Sequence, residues 1–126
     1  MNTLLLPARL RPHYQAELRA AHRAYTQQEP ARAFHHLERA HILGQRWAWP
    51  HTQVHLLMLR HGWRTGNGRE MLGQLPRIFF GFLGSLVGQV PTGNTGGANV
   101  KAEQPMPIPT DLQGLLTPQA ELRKRR

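Results

Sequence analysis

Apolar residues recur at helical spacing along the first two thirds of the chain, and nowhere do they alternate over the length of a strand. The first such stretch predicts a helix over about Pro12 to Thr26, opening on a proline, whose missing N–H costs nothing in a first turn. A second helix is expected from about Pro30 to Leu43, with Gly44 as its stop, and a third from near Pro50 to near Trp63. After the Gly66-Asn67-Gly68 turn signal, a fourth covers about Arg69 to Leu83, weakened or kinked by Gly73, Pro76 and Gly81. Beyond Gly84 the pattern dissolves. Residues 90–100 are rich in glycine and asparagine and read as a loop, and the alternate prolines of Pro105-Met106-Pro107-Ile108-Pro109 require extended chain. A short last helix over about Thr110 to Leu116 opens on a cap-like Thr110-Asp111 step. The expected fold is therefore all-α. It is a compact bundle of about four helices with tetratricopeptide-like hairpins, suggested by the small residues Ala33 and Ala40, followed by an irregular Gly/Pro-rich C-terminal segment. A length of 126 residues suits one domain: a helical core over about 12–84, a loop and extended segment over 85–116, and a disordered basic tail over 117–126.

Projecting the helices at 100° per residue places several polar groups on inward faces. On the second helix His41 falls between Phe34 and Leu37, with Glu38 at the edge of the apolar face. On the third, His51 and His55 are one turn apart, on the side of Val54 and Met58 and opposite Gln53 and Arg60. On the first, Glu17 departs from the polar face and lies between Ala21 and Ala24, near Tyr14. Groups like these are costly to bury unless they are paired or hold a cation. Imidazole and carboxylate are good ligands for zinc, iron and manganese, so Glu17, Glu38, His41, His51 and His55 form the candidate metal set. Glu38/His41 is a Glu-x-x-His step of the kind that helical di-iron proteins use twice, but the chain offers it once. The His-Glu-x-x-His protease motif is absent, because Thr52 and Gln53 follow His51. In an enzymatic version Glu17 is the candidate general base, and Asn94 and Thr95 are candidates to orient a bound group. His13, His22, His35 and His61 are expected at the surface, and Trp47, Trp49, Trp63 and Met58 in packing.

Composition narrows the chemistry. There is no cysteine, which removes disulfides, thiolate ligands and a cysteine nucleophile and fits a cytoplasmic setting. The net charge of +9 raises nucleic acid as a partner, but the arginines are scattered and cluster only at Arg123–Arg126, so nucleic acid is the least favoured partner. Neither the apolar N-terminal run nor Ile78–Val90 is long enough for a signal peptide or a membrane span. The loop Gly93-Asn94-Thr95-Gly96-Gly97 follows a helix rather than a strand and lacks the lysine of a phosphate-binding loop, so it is expected to pack across the bundle.

The motifs Leu37-Glu38-Arg39-Ala40-His41-Ile42-Leu43-Gly44-Gln45, His51-Thr52-Gln53-Val54-His55 with Met58-Leu59, Gly73-Gln74, the run Val90–Val100 and Pro107-Ile108-Pro109 resemble those of an uncharacterised bacterial domain-of-unknown-function family. The resemblance covers about Tyr14 to Leu116. It matches at Glu38, His41, His51 and His55, and less strictly at Glu17 through a Tyr-x-x-Glu-Leu step. The resemblance establishes no activity, but it implies a link to metal handling or resistance, because genes of that family lie beside metal-resistance and efflux genes. The expected function is divalent-metal binding, with a small metalloenzyme as its extension. The alternative is a helical interaction module that takes a protein partner or a second copy and whose buried histidines are structural.

Overall fold

The computed structural model describes residues 2–118, so the expected basic tail lies, from residue 119 on, outside the described residues. Five helices account for the regular structure: α1 (Arg11–Thr26), α2 (Pro30–Gly44), α3 (Ala48–Thr65), α4 (Gly68–Leu86) and α5 (Thr110–Leu116). No strand occurs among the described residues. Consecutive helices pack on one another from α1 to α4, and their short connections make neighbours antiparallel. Side chains fix the register of the bundle. Near the start of α1, the Tyr14 hydroxyl lies 3.0 Å from the Pro50 carbonyl and 2.8 Å from Gln53 Oε1, near the start of α3. At the far end, the Tyr25 hydroxyl lies 2.6 Å from His61 Nδ1, so α1 and α3 run the same way.

Leu10, Leu37, Leu43, Val54, Met58 and Leu112 form the centre of the core. Each such side chain contributes about 1.5–3 kcal/mol through burial. Leu112 belongs to α5, so the C-terminal segment closes the same core that α1 opens. Two contacts bind the outer segments to the bundle. Arg39 pairs with Asp111 of α5, and the carbonyls of Thr3 and Leu4 accept the backbone N–H groups of Ala48 and Trp49 at 2.8 and 3.0 Å. The second contact satisfies amides that the open start of α3 leaves without helical partners.

Two local expectations take a particular form. Gly44 is the last residue of α2, as expected, but it does not end the helix by a left-handed turn, and the next residue, Gln45, keeps helical angles (φ −63°). The position needs glycine for closeness instead: a Cβ there would lie 3.0 Å from the Pro50 Cβ and 3.1 Å from the Tyr14 ring. The fourth helix runs from Gly68 to Leu86 with Pro76 inside it. Leu72, whose carbonyl loses its helical donor at Pro76, is exposed, so water can replace the missing N–H. The turn signal is realised at Gly66 (φ 66°), and the Asn67 side chain caps α4 by accepting the Glu70 N–H at 3.0 Å.

Candidate metal centre

Three imidazoles meet inside the bundle. His41 comes from α2, and His51 and His55 from adjacent turns of α3, where the four-residue step stacks them on one face. All three are buried. Their Nε2 atoms form a nearly equilateral triangle: 3.0 Å from His41 to His51, 3.2 Å from His41 to His55, and 3.0 Å from His51 to His55.

The opposite edge of each ring settles its tautomer. His41 Nδ1 lies 2.7 Å from the Asn94 backbone carbonyl, which can only accept. His55 Nδ1 lies 2.6 Å from Gln74 Oε1, and that amide is held by its NH2 end, which donates to Glu70 Oε1 at 2.6 Å and to the Gly96 carbonyl at 3.0 Å. His51 Nδ1 lies 2.7 Å from Ser85 Oγ, whose own proton is donated to the Gln45 carbonyl at 2.6 Å. All three rings therefore carry their proton on Nδ1 and turn a bare Nε2 lone pair toward the other two. The Nε2 contacts cannot be hydrogen bonds in that state. A proton shared between two of the rings would leave the third lone pair facing the same point.

Burial, opposed at the ring by the Gly81 backbone, lowers the His51 pKa to about 4. Burial and the neighbouring His51 lower that of His55 to about 3, and burial with the two other rings holds His41 well below its ordinary value. Unfolded histidine titrates near pH 6.5. Below that pH the unfolded chain takes up protons that the folded chain refuses, so stability is fully present above about pH 6.5 and falls as the pH drops toward 4. His61, lowered by burial, adds in the same direction. The urea midpoint of metal-free protein is therefore expected to decline steadily from pH 7 to pH 5; a flat profile would contradict the buried neutral rings.

Two glycines make the packing possible. A Cβ on Gly96 (φ 85°) would lie 2.5 Å from His41 Cδ2 and 2.8 Å from its Nε2, and one on Gly81 would lie 3.0 Å from His51 Cε1. The 90–100 segment thus lies on the His41 ring as a strap. The Asn94 side chain builds this strap, donating to the carbonyls of Lys101 and Gln104 at 2.9 and 2.8 Å and accepting the Gly96 N–H at 2.8 Å. Gln45 ties the strap to α2, its amide donating to the Pro91 carbonyl at 3.2 Å and accepting the Gly93 N–H at 2.8 Å. Glu70 receives the Ala98 N–H at 3.0 Å.

Several expected site residues stand elsewhere. Among the described residues, the group of possible metal ligands whose donor atoms lie within 4.8 Å of one another is His41, His51 and His55, without Glu17 or Glu38. Glu17 faces α2 from α1, where its carboxylate takes Arg39 Nε at 2.8 Å and lies 2.7 Å from His36 Nδ1. It is thereby engaged and does not stand as a general base at the triad. Glu38 is half-buried at the edge; burial raises its pKa, and the nearby His35 and Thr95 oppose the rise. Asn94 meets the site through its backbone carbonyl, not its side-chain amide. His61 is buried against Phe34 rather than exposed, whereas Trp49 and Trp63 are exposed rather than packed. Gln74, Ser85, Glu70 and Gln45 were not anticipated as supports of the site.

The triad lines a cavity of about 380 Å³ together with Arg77, Phe80, Gly81 and Pro91. No helix of the described residues is long and apolar enough to cross a membrane. A family described as "Protein of unknown function (DUF3703)" matches residues 8–116. No curated protein and no solved structure matches the chain.

Proposed function

We propose that this chain, which belongs to the DUF3703 family of proteins of unknown function, binds one divalent transition metal through Nε2 of His41, His51 and His55. The observation that carries the reading is the convergence of three unprotonated nitrogens, each fixed from behind by a hydrogen-bond acceptor. Metal-binding histidines are usually held in this way, which orients the ring and raises its basicity. The Nε2 separations of 3.0–3.2 Å would let all three nitrogens reach one ion at the usual bond length of about 2.1 Å. Three imidazoles leave at least one coordination position for a ligand from the cavity.

The donor set refines the choice of ion. Glu17 and Glu38 stand outside the triad, and without their oxygens an all-imidazole set suits zinc or iron(II) better than manganese. The role we favour is metal handling rather than catalysis, since the carboxylate expected to act as base is held by Arg39 and His36. The cytoplasmic setting rests on the lack of cysteine, and a link to resistance rests on the family resemblance.

The test is elemental analysis of tag-free protein purified without added metal or chelator. Near-stoichiometric zinc or iron is expected in the parent protein, and little in His41→Ala and His55→Ala. Folded parent protein that is metal-free and takes up neither ion would overturn the reading.

The interaction-module reading draws on one observation. Leu72, Leu75, Phe79, Phe80 and Leu83 of α4, with Val87 just after it, present exposed apolar side chains. It differs in its consequence, since the module folds and binds its partner equally well after exhaustive chelation.

A further inference from the structure

The cavity beside the triad holds a cationic group, Arg77, that no carboxylate pairs with among the described residues. Arg77, one turn after Gly73 on α4, donates from NH1 to the Gly73 carbonyl and from NH2 to the Val100 carbonyl, both at 2.7 Å. Its Nε is buried and has no hydrogen-bond partner, and no carboxylate pairs with the guanidinium among the described residues. Of its five N–H groups, two are engaged, both by neutral carbonyls. Arg77 lines the same cavity as the three imidazoles. A half-buried guanidinium beside three neutral imidazoles concentrates positive charge, and a divalent ion on the triad would add two more. The carboxylate that also lines the cavity, Glu103, is exposed and outside hydrogen-bond reach of Arg77.

The rest of the wall is mainly apolar: Pro76, Phe80, Val90, Pro91 and Ala102. Such a wall offers no partner to a fully hydrated inorganic oxyanion, but it does accept hydrocarbon. The volume, about 380 Å³, is that of a small-molecule site.

Resting on the metal reading above, we infer that the site takes a small organic carboxylate with an apolar body. One carboxylate oxygen fills the open position of the metal, the other accepts from Arg77, and the hydrocarbon part lies against Pro76, Phe80 and Pro91. The arrangement compensates the charge that the protein leaves unpaired, and a guanidinium donates a strong charge-assisted hydrogen bond to a carboxylate oxygen.

The test uses the full chain loaded with cobalt(II), whose visible absorption reports its ligands, titrated with benzoate, acetate and inorganic phosphate. Benzoate is expected to change the spectrum at the lowest concentration. Arg77→Gln should weaken benzoate by at least about tenfold, the loss of a charge-assisted hydrogen bond. Arg77→Lys should recover part of that loss. Phe80→Ala should weaken benzoate and leave acetate unchanged, which also serves if Arg77→Gln loosens the strap that Arg77 anchors. Equal benzoate affinity in the parent, Arg77→Gln and Phe80→Ala proteins would overturn the inference, as would phosphate binding more tightly than benzoate. Either result would leave the metal reading standing, whereas failure of cobalt(II) and zinc to bind at all would overturn both.

Discussion

Zinc returned to chelator-stripped protein is expected to raise the unfolding midpoint by more than about 10 °C. An ion that binds only the folded state stabilises it by RT ln(1 + [L]/Kd), about 4 kcal/mol when free metal is 1,000-fold above Kd. For a domain of this size each kcal/mol corresponds to roughly 3–5 °C. The gain is large here because the metal-free fold buries three lone pairs that face one another with no proton among them. The protein carries eight histidines, so zinc held by the unfolded chain subtracts from the shift. Controls separate the triad from this background. His41→Ala should abolish most of the shift, whereas His35→Ala, at an exposed position of the same helix, should retain it. A scanning-calorimetry series in which both variants respond alike would remove the triad from the explanation.

Replacing Gly96 with alanine should be among the most damaging single-methyl additions in the protein. Two independent costs combine. The backbone there is left-handed at φ 85°, which disfavours an L side chain by about 1–2 kcal/mol. The added Cβ would also lie 2.5 Å from His41 Cδ2 and 2.7 Å from Cγ, so the ring or the strap must move, and overpacking of this kind costs about 1–3 kcal/mol. His41 cannot retreat without losing the Asn94 carbonyl that fixes its tautomer. The expected outcome is a loss of about 2–5 kcal/mol in urea unfolding together with weakened zinc binding. Gly114→Ala provides the opposite sign. Nothing lies within 4 Å of the Cβ position in α5, and alanine there should stabilise by about 0.5–1 kcal/mol. If Gly96→Ala folds and binds zinc as the parent does, the strap does not rest on the ring as described.

Periodicity made the four-helix succession and the inward histidines legible. His41, His51 and His55 fall on apolar stripes, and a stripe that must be buried brings its polar members inward with it. The same projection misplaced Glu17, because it gives an angle about one helix axis and not the identity of the neighbour at that angle. The side of α1 that carries Glu17 meets Arg39 and His36 of α2 rather than the space between α2 and α3. His61 was misread for a related reason: the Phe34 ring that covers it belongs to a different helix. The supports of the triad were hidden by distance along the chain. Ser85 is an uncharged polar residue in the apolar second half of α4, and Gln74 lies between Leu72 and Leu75; that contrast was the available signal. It shows that they are unusual, but not which ring each one holds. The glycine-rich strap was legible as a loop crossing the bundle. The use of its Asn94 carbonyl as an acceptor was not, since every residue offers the same atom.

The three candidate ligands stand on either side of the 45–47 turn, in the span 41–55. The groups that orient them come later: Gln74 and Ser85 on α4, then the Asn94 carbonyl. During synthesis the ligands therefore leave the ribosome well before their supports. Closing so short a loop around an ion costs little chain entropy. If the triad binds metal as proposed, a nascent α2–α3 hairpin would meet the ion while its rings are still free to turn, and each supporting residue that follows would remove some of that freedom. In the metal reading, affinity rises in steps as the chain lengthens, and the tightly held ion marks a chain that has been made past residue 94 and folded over its own beginning.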